Sequence, residues 1–115
     1  MAGSAKTNVV RLETLPDGGN AYRFDGSDHD SPVSFFVLHT APGIGPELHR
    51  HPYAETFVVE EGEATFTIGD ETIRVRAGDI VVAPAGVPHA FVNSGSSVLR
   101  SVNIHPVSVM ETVWL

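Results

Sequence analysis

Prolines and glycines interrupt this chain too often for a helix of ordinary length to form. Its 115 residues include eight prolines and eleven glycines, and these are spread along the whole length. The stretches between them are short and apolar or alternating, as is typical of β-strands, and none shows helical periodicity. The pattern predicts strands at residues 9–15, 21–24, 33–40, 56–59, 64–68, 72–76, 80–83, 89–92, 98–104 and 109–114. Short strands at regular spacing favour an all-β fold, an antiparallel sandwich or barrel.

A cluster of polar residues interrupts this pattern in the stretch GIGPELHRHPYAETFVVEEG, which contains His49, His51 and Glu55. Side chains alternate faces along a strand, so His49 and His51 point the same way, and Glu55 shares their parity if the chain stays extended. Two imidazoles and a carboxylate suit divalent iron, manganese, nickel, cobalt, copper or zinc. A single histidine on a strand is more often an ordinary polar or core residue, so the pair alone leaves both interpretations open.

A second stretch, GDIVVAPAGVPHAFVN, offers one further histidine, His89, directly after a Pro-Ala-Gly-Val-Pro turn. Gly62 and Gly86 lie where tight turns require a positive φ. Turns at these positions would bring Glu55 and His89 to one place. The sequence therefore predicts a site for one divalent transition metal ion, held by His49, His51, Glu55 and His89.

These two stretches resemble the two motifs of the cupin superfamily. The first matches a glycine, five residues, His-x-His, three residues, a glutamate, six residues and a glycine. The second matches at all five of its motif positions, and only residues 63–77 separate the two motifs. The matching positions are Gly43, His49, His51, Glu55, Gly62, Gly78, Pro84, Gly86, His89 and Asn93. The resemblance is to small single-domain members and implies a conical β-barrel of the jelly-roll type, with the metal ligands facing its lumen.

Several side chains outside the ligand set have alternative roles. Phe57 and Phe91 share strand parity with Glu55 and His89, so they either line the cavity beside the metal or belong to the core. His39 and His105 have the alternation that could place them near the lumen, but we expect surface or rim positions and do not assign them as ligands.

Three more residues lie close to the first motif or in a polar loop. Glu47 and Tyr53 flank the motif and could offer polar groups to a substrate. His29 lies between two aspartates, and we interpret its loop as solvent-exposed charge rather than as a second metal site.

The charge balance argues against a nucleic-acid partner. The formal net charge is −7, and the few basic residues are scattered, so the basic stripe that neutralises phosphates is missing. The chain has no cysteine and no apolar run of membrane-spanning length. We expect a cytoplasmic protein with a flexible N-terminus at residues 1–8 and a single cupin domain at residues 9–115. A barrel of this size leaves apolar sheet surface uncovered, so we also expect a homodimer, with sheet extension as the mode common in cupins.

The resemblance narrows the function less than the fold, because cupins include enzymes, sensors and storage proteins. The leading hypothesis is a metal-dependent dioxygenase that acts on a small organic substrate and resembles the quercetinase-like cupins, with Glu55 as both ligand and base. The alternatives are a redox-neutral, metal-dependent isomerase or lyase, and a non-catalytic module that binds a small molecule.

Overall fold

The computed structural model describes residues 7–115 and contains ten β-strands, with no α-helix in that range. The first strands in chain order are β1 (Ala21–Phe24), β2 (Ser34–Thr40), β3 (His49–Arg50), β4 (Glu55–Glu61) and β5 (Glu63–Ile68). The remaining ones are β6 (Glu71–Arg76), β7 (Ile80–Ala83), β8 (His89–Asn93), β9 (Leu99–His105) and β10 (Val113–Trp114). Short 3₁₀ turns occupy Leu12–Thr14 and Gly26–Asp28. No helix in the described range is long and apolar enough to cross a membrane.

The strands form two antiparallel sheets of five strands each. The first sheet has the order β1-β2-β9-β4-β7, and the second has the order β10-β3-β8-β5-β6. Consecutive strands therefore pass repeatedly from one sheet to the other, as in a jelly roll. The prediction of an all-β barrel of this type is confirmed.

Three details of the predicted strand pattern are wrong. Residues 9–15 were expected to be a strand, but they contain the 3₁₀ turn Leu12–Thr14, whose side chains are not buried. The predicted strand 109–114 shrinks to Val113–Trp114, because only two residues pair with β3. The chain also leaves the extended conformation after Arg50, so Glu55 does not continue the strand of the histidines and lies in the opposite sheet.

The hydrophobic core fills one end of the space between the sheets. Phe57 of β4 packs edge to face against Phe66 of β5, with ring centroids 4.9 Å apart, and both side chains are fully buried. Leu38, Val59 and Leu99 are buried in the same core cluster. At the other end the inward-facing positions are polar, so the barrel carries a packed end and an end suited to binding.

Two glycines make the turns that bring the motif strands together. Gly62 has φ +89° between β4 and β5, and a Cβ there would lie 2.6 Å from the carbonyl oxygen of Val98. Gly86 has φ +76° in the turn before β8, and its N–H donates to the carbonyl oxygen of His51 at 2.8 Å. Both glycines have the positive φ expected from the sequence. The Gly86 bond ties the loop that precedes His89 to the loop that carries His51.

Part of the predicted flexible N-terminus, residues 1–6, lies outside the described residues. Asn8, near the end of that predicted segment, donates a hydrogen bond from Nδ2 to the carbonyl oxygen of His29 at 3.1 Å. The imidazole of His29 in turn stacks on Phe24, with ring centroids 4.6 Å apart. His29 therefore belongs to a local packing contact in its loop.

Candidate metal centre

Four side chains with metal-binding chemistry converge between the two sheets at the polar end of the barrel. His49 and His89 are opposite each other on β3 and β8, and His51 follows β3 directly. Glu55 reaches the same point from the first residue of β4, in the other sheet. One donor atom from each residue lies within 4.8 Å of the others, and all four residues are buried. The structure thus brings together the four ligands predicted from the sequence.

Each of the three imidazoles is held by a backbone carbonyl group. Nδ1 of His49 is 2.7 Å from the carbonyl oxygen of Glu47, and Nδ1 of His51 is 2.6 Å from that of Glu111. His89 makes the same contact with Val87 at 3.1 Å. A carbonyl oxygen can only accept, so each Nδ1 carries the hydrogen and donates it. This arrangement leaves Nε2 of each ring as the atom that faces the site, which is how metal-binding histidines are commonly oriented.

The ionisation of the cluster favours a negative carboxylate. Burial alone would raise the pKa of Glu55, but contacts with His105, His51 and His89 hold that pKa well below its usual range. Burial lowers the pKa of His49 and outweighs the carbonyl of Glu47, which favours the neutral ring that a metal requires. Burial also acts to lower the pKa of His51, but the contact with Glu55 and the carbonyl of Glu111 raise it overall.

The distances within the cluster fit a bound cation. Oε1 of Glu55 lies 2.9 Å from Nε2 of His51 and 3.1 Å from Nε2 of His89. A lone pair on a neutral imidazole would repel a carboxylate oxygen at this distance, and a proton or a metal ion between the two atoms would remove that repulsion. Metal–ligand bonds of about 2.1 Å at right angles would put adjacent donors about 3 Å apart, as observed. The four residues therefore form a candidate site for one divalent transition metal.

A fourth imidazole, that of His105, belongs to the site, and the expectation of a surface or rim position for it is wrong. His105 ends β9, is 2% exposed and places Nε2 3.1 Å from Oε2 of Glu55. Thr56 of β4 pairs with Ile104 of β9, so their chain neighbours Glu55 and His105 lie on adjacent strands. Nε2 of His105 has no hydrogen-bond partner among the described residues, and the same is true of Nε2 of His51. Both nitrogens are thus buried polar atoms that face the carboxylate without a hydrogen bond.

The sequence match decides the family of the chain. A family model for the cupin domain matches residues 36–105, which include both motifs. The chain belongs to the cupin family. Among solved structures, this cupin is similar to a variant of oxalate decarboxylase from Bacillus subtilis, with a TM-score of 0.80 and 25% sequence identity. That similarity covers 91% of this chain and 31% of the other.

In two further relatives, too, the match covers well under half of the other protein. The formate complex of oxalate decarboxylase from Lactobacillus farciminis has a TM-score of 0.80 and 20% identity, over 91% of this cupin and 35% of that chain. An uncharacterized protein of Streptomyces coelicolor is 44% identical over 41 residues, which are 36% of this chain and 39% of that protein. The cupin thus spans about a third of the length of the decarboxylases. Another of the Bacillus subtilis structures concerns the Mn(II) centres of that enzyme.

The remaining residues singled out in the sequence separate into cavity, core and surface. Phe91 lines the cavity above the candidate ligands, whereas Phe57 lies in the core. The side chain of His39 is 25% exposed and contacts Asp17 at 3.0 Å. Its neighbours Leu38 and Thr40 on β2 are buried, so His39 points away from the interior, which agrees with the predicted surface or rim position. Glu47 is exposed, and its backbone carbonyl is the group that reaches the site.

Tyr53 acts on the site through His105. Its hydroxyl oxygen lies 2.7 Å from Nδ1 of His105, and its ring stacks on His51 with centroids 5.2 Å apart. The same oxygen accepts a hydrogen bond from the N–H of Glu111 at 3.2 Å. Tyr53 therefore connects two site histidines to the C-terminal segment.

That C-terminal segment is a part of the site that sequence reasoning missed. The carbonyl of Glu111 holds His51, and the ring of Trp114 lies 4.9 Å from that of His49, centroid to centroid. The pairing of β10 with β3 fixes both contacts. No local pattern in residues 106–115 predicts this role. The role depends on the register of β10 on β3, which only two residue pairs set.

A cavity of about 630 Å³ opens above the cluster. His49, His51, Glu55 and His105 form its floor. Its walls are mostly apolar, and they include Phe36, Leu38, Ile44, Phe91, Met110 and Trp114. Arg23 adds one cationic group, which is paired with Asp25 at 3.0 Å. The volume lies within the range of about 300–1,000 Å³ that is typical of pockets for drug-sized small molecules.

Proposed function

We propose that this cupin is a metal-dependent enzyme that acts on a small, ring-containing substrate, with a dioxygenase reaction as the leading candidate. The observation that supports this proposal is the position of an apolar cavity of about 630 Å³ directly above the ligand cluster. A two-carbon dianion such as oxalate would leave most of that volume and its aromatic walls without contacts. A flat molecule with a hydroxyl or enol oxygen would fill the cavity and reach its floor.

His49, His51, Glu55 and His89 would hold the metal ion. When bound, the metal would act as a Lewis acid that favours the ionised form of a substrate hydroxyl. The aromatic and aliphatic walls, among them Phe36 and Phe91, would orient the substrate ring and exclude water from its reactive face.

Glu55 is the residue that we assign as the base. Its pKa lies well below the usual range, because His105, His51 and His89 offset the effect of burial, so the carboxylate is ionised at neutral pH. Oε1 faces the two ligand histidines, while Oε2 faces His105 at 3.1 Å. A proton taken from a substrate hydroxyl would be held at Oε2, next to Nε2 of His105.

A redox-neutral lyase is the second candidate. It is supported by the similarity in fold to oxalate decarboxylases and by Arg23, a cationic residue that lines the cavity and could face a substrate carboxylate. Arg23 is already paired with Asp25, which makes it a weaker anchor than a free arginine. The third candidate is a protein that binds a small molecule without converting it. The experiment must distinguish these three functions.

Oxygen uptake distinguishes these functions. The protein, loaded in turn with iron, nickel or manganese, is offered flavonols, diketones and catechols in air and under nitrogen, with oxalate as a further substrate. A dioxygenase consumes oxygen with a ring substrate and loses this activity in Glu55→Gln, while the exposed control Glu63→Gln keeps it. Turnover under nitrogen would instead indicate a lyase or isomerase, and thermal stabilisation by a ligand without turnover would indicate a binding module.

Two further features of the protein are part of the proposal. We propose that it acts as a homodimer, since a barrel of this size leaves apolar sheet surface that a partner can cover. We also propose a cytoplasmic location, because a chain without cysteine needs no oxidising compartment to fold. Fractionation of the native host, followed by detection of the protein with an antibody, tests the second statement, and recovery from the extracellular fraction would contradict it.

A further inference from the structure

The inward face of β9 is polar along most of its length, although it lies in the interior of the protein. Side chains alternate along a strand, so one face of β9 carries Leu99, Ser101, Asn103 and His105. Leu99 belongs to the core, whereas the other three are polar and each is at most 4% exposed. Asn103 and His105 also line the cavity. Buried polar groups are normally paired, so the partners of these two side chains indicate what they do.

The ring of His105 has a hydroxyl group behind it, where each ligand histidine has a carbonyl group. Nδ1 of His105 is 2.7 Å from the hydroxyl oxygen of Tyr53. The other acceptor within reach of that hydroxyl group, the carbonyl oxygen of Glu111, is 3.3 Å away. The shorter contact is the better hydrogen bond, so Tyr53 donates and Nδ1 accepts. The hydrogen of a neutral His105 ring therefore lies on Nε2, which is the reverse of the tautomer in the three ligand histidines.

The position of Glu55 supports this tautomer of His105. Oε2 of Glu55 is 3.1 Å from Nε2 of His105, and a lone pair on that nitrogen would repel the carboxylate. A hydrogen on Nε2 removes the repulsion, but Nε2 has no hydrogen-bond partner among the described residues. The ring is also packed edge to face against Phe36, with centroids 5.8 Å apart. His105 thus has a buried N–H at the cavity that the protein itself does not pair.

Asn103 offers a second donor, two residues earlier on β9. Its Oδ1 accepts a hydrogen bond from the hydroxyl group of Ser101 at 2.7 Å, which fixes the orientation of the amide. No described residue accepts a hydrogen bond from its Nδ2, and the side chain lines the cavity. Alternate residues of a strand are roughly 7 Å apart, so the donors of Asn103 and His105 are neighbours on one wall.

We propose that Asn103 and His105 form a donor pair that binds an acceptor oxygen of the substrate, beside the oxygen that the metal would hold. The inference rests on the proposed function and narrows its substrate class. Because Nε2 of His105 is 3.1 Å from the ligand residue Glu55, the acceptor must lie close to the metal-bound oxygen. The substrate class is therefore a ring with a hydroxyl or enol group for the metal and a second oxygen on the neighbouring carbon.

This pair would determine specificity, because water can satisfy the two donors in the empty cavity but an apolar group cannot. A substrate that displaces the water without offering an acceptor leaves buried N–H groups unpaired, which is costly. A site built to hydrogen-bond an oxygen discriminates strongly against an analogue that lacks it.

Two isosteric phenols test the donor pair without any turnover. In ortho-methoxyphenol an ether oxygen replaces one methylene group of ortho-ethylphenol, so the ratio of the two affinities reports an acceptor next to the hydroxyl group. Calorimetric titration into the full chain, saturated with Zn(II), measures that ratio. We expect the ratio to fall about tenfold from the wild type to the variant with His105→Phe and Asn103→Leu. His105→Gln retains an N–H and should keep the wild-type ratio, as should the matched control His39→Phe outside the cavity.

Each result of the titration decides the question. A ratio within about twofold of the wild-type value in the double variant would overturn the donor pair and leave the metal-dependent function standing. That result is also expected if His105 only orients Glu55, since both phenols then lose affinity alike. Failure of the wild type to bind either phenol in the millimolar range would overturn the ring-binding cavity and this inference together. If the double variant does not fold, His105→Phe decides, with a fall of about threefold or more expected.

The tautomer of His105 is open to a second, independent measurement. Long-range nitrogen–proton NMR spectra of the Zn(II)-loaded protein at neutral pH show which ring nitrogen carries the hydrogen, and the signals missing in His105→Phe assign the ring. We expect a hydrogen on Nε2 of His105 and on Nδ1 of His49. A His105 ring with its hydrogen on Nδ1 alone would overturn the proposal.

Discussion

Asn93 holds the wall of the cavity in place, and its replacement should destabilise the protein strongly. The side chain is 1% exposed and makes three hydrogen bonds. Nδ2 donates to the carbonyl oxygens of Thr40 at 2.9 Å and Ser97 at 2.8 Å, and Oδ1 accepts from the N–H of Gly95 at 3.0 Å. Asn93 thus connects the end of β8 to the end of β2 and to the turn before β9.

Asn93→Ala removes all three hydrogen bonds and leaves the buried carbonyl group of Thr40 and the partly buried one of Ser97 without this donor. At about 1 kcal/mol for each bond, the free energy of unfolding should fall by about 3 kcal/mol. For a domain of this size that loss corresponds to a decrease in Tm of about 12 °C. Urea denaturation and calorimetry on metal-free protein measure both quantities without interference from ligand binding.

Ser94→Ala is the control for this experiment. Ser94 is the next residue, and its hydroxyl accepts a hydrogen bond from Thr65 at 2.8 Å in an exposed position. Its loss should cost less than about 0.5 kcal/mol. A decrease in Tm below about 3 °C for Asn93→Ala, or equal effects of the two substitutions, would refute the assignment of Asn93 as the link between these three segments.

Three further predictions concern the site and its walls. Gly45→Ala should prevent correct folding or displace the cavity wall, because a Cβ at this position would overlap the carbonyl oxygen of Phe91. A heteronuclear NMR spectrum like that of the wild type would contradict this. Tyr53→Phe removes the hydroxyl beside His105 and should weaken metal binding about tenfold, measured by calorimetric titration. Unchanged metal affinity would show that this contact does not orient the site. The imidazole neighbours of Glu55 lower the pKa of its carboxyl group. The ionised carboxylate therefore stabilises the metal-free protein above the ordinary carboxyl pKa of about 4.3, and this stabilisation is lost as the pH falls below that value. The difference in unfolding free energy between wild type and Glu55→Gln should therefore shrink between pH 6 and pH 3, and a constant difference would contradict the assignment.

The convergence of the four candidate ligands could be predicted from the sequence, because it depends on local spacing and on turns that glycine marks. His49 and His51 flank one residue, and Gly62 and Gly86 have the positive φ that their positions require. The reason given for Glu55 was nevertheless wrong, because the chain turns after Arg50 and Glu55 arrives from the opposite sheet. The same spacing was therefore compatible with two different paths of the backbone.

The surroundings of the ligands could not be predicted in this way, because they depend on long-range register. His105 reaches Glu55 only because β9 lies beside β4, and its alternation alone fitted a rim position equally well. The carbonyl of Glu111 reaches His51 through the pairing of β10 with β3, which involves two residue pairs. Phe57 and Phe91 share parity with ligands, but depth in the barrel separates core from cavity, and parity carries no information on depth.

Metal titration tests the central claim, that His49, His51, Glu55 and His89 hold one divalent metal ion, most directly. Metal-free protein is titrated with Mn(II), and free Mn(II) is followed by its EPR signal at neutral pH. The wild type should bind one equivalent, and the variant with His49→Ala and His89→Ala should bind at least about a hundredfold more weakly, since two of four ligands are lost. The control His39→Ala removes a histidine outside the cluster and should bind like the wild type. Equal affinity in all three proteins, or no binding of Mn(II), Fe(II), Ni(II), Co(II), Cu(II) or Zn(II) by the wild type, would contradict the account.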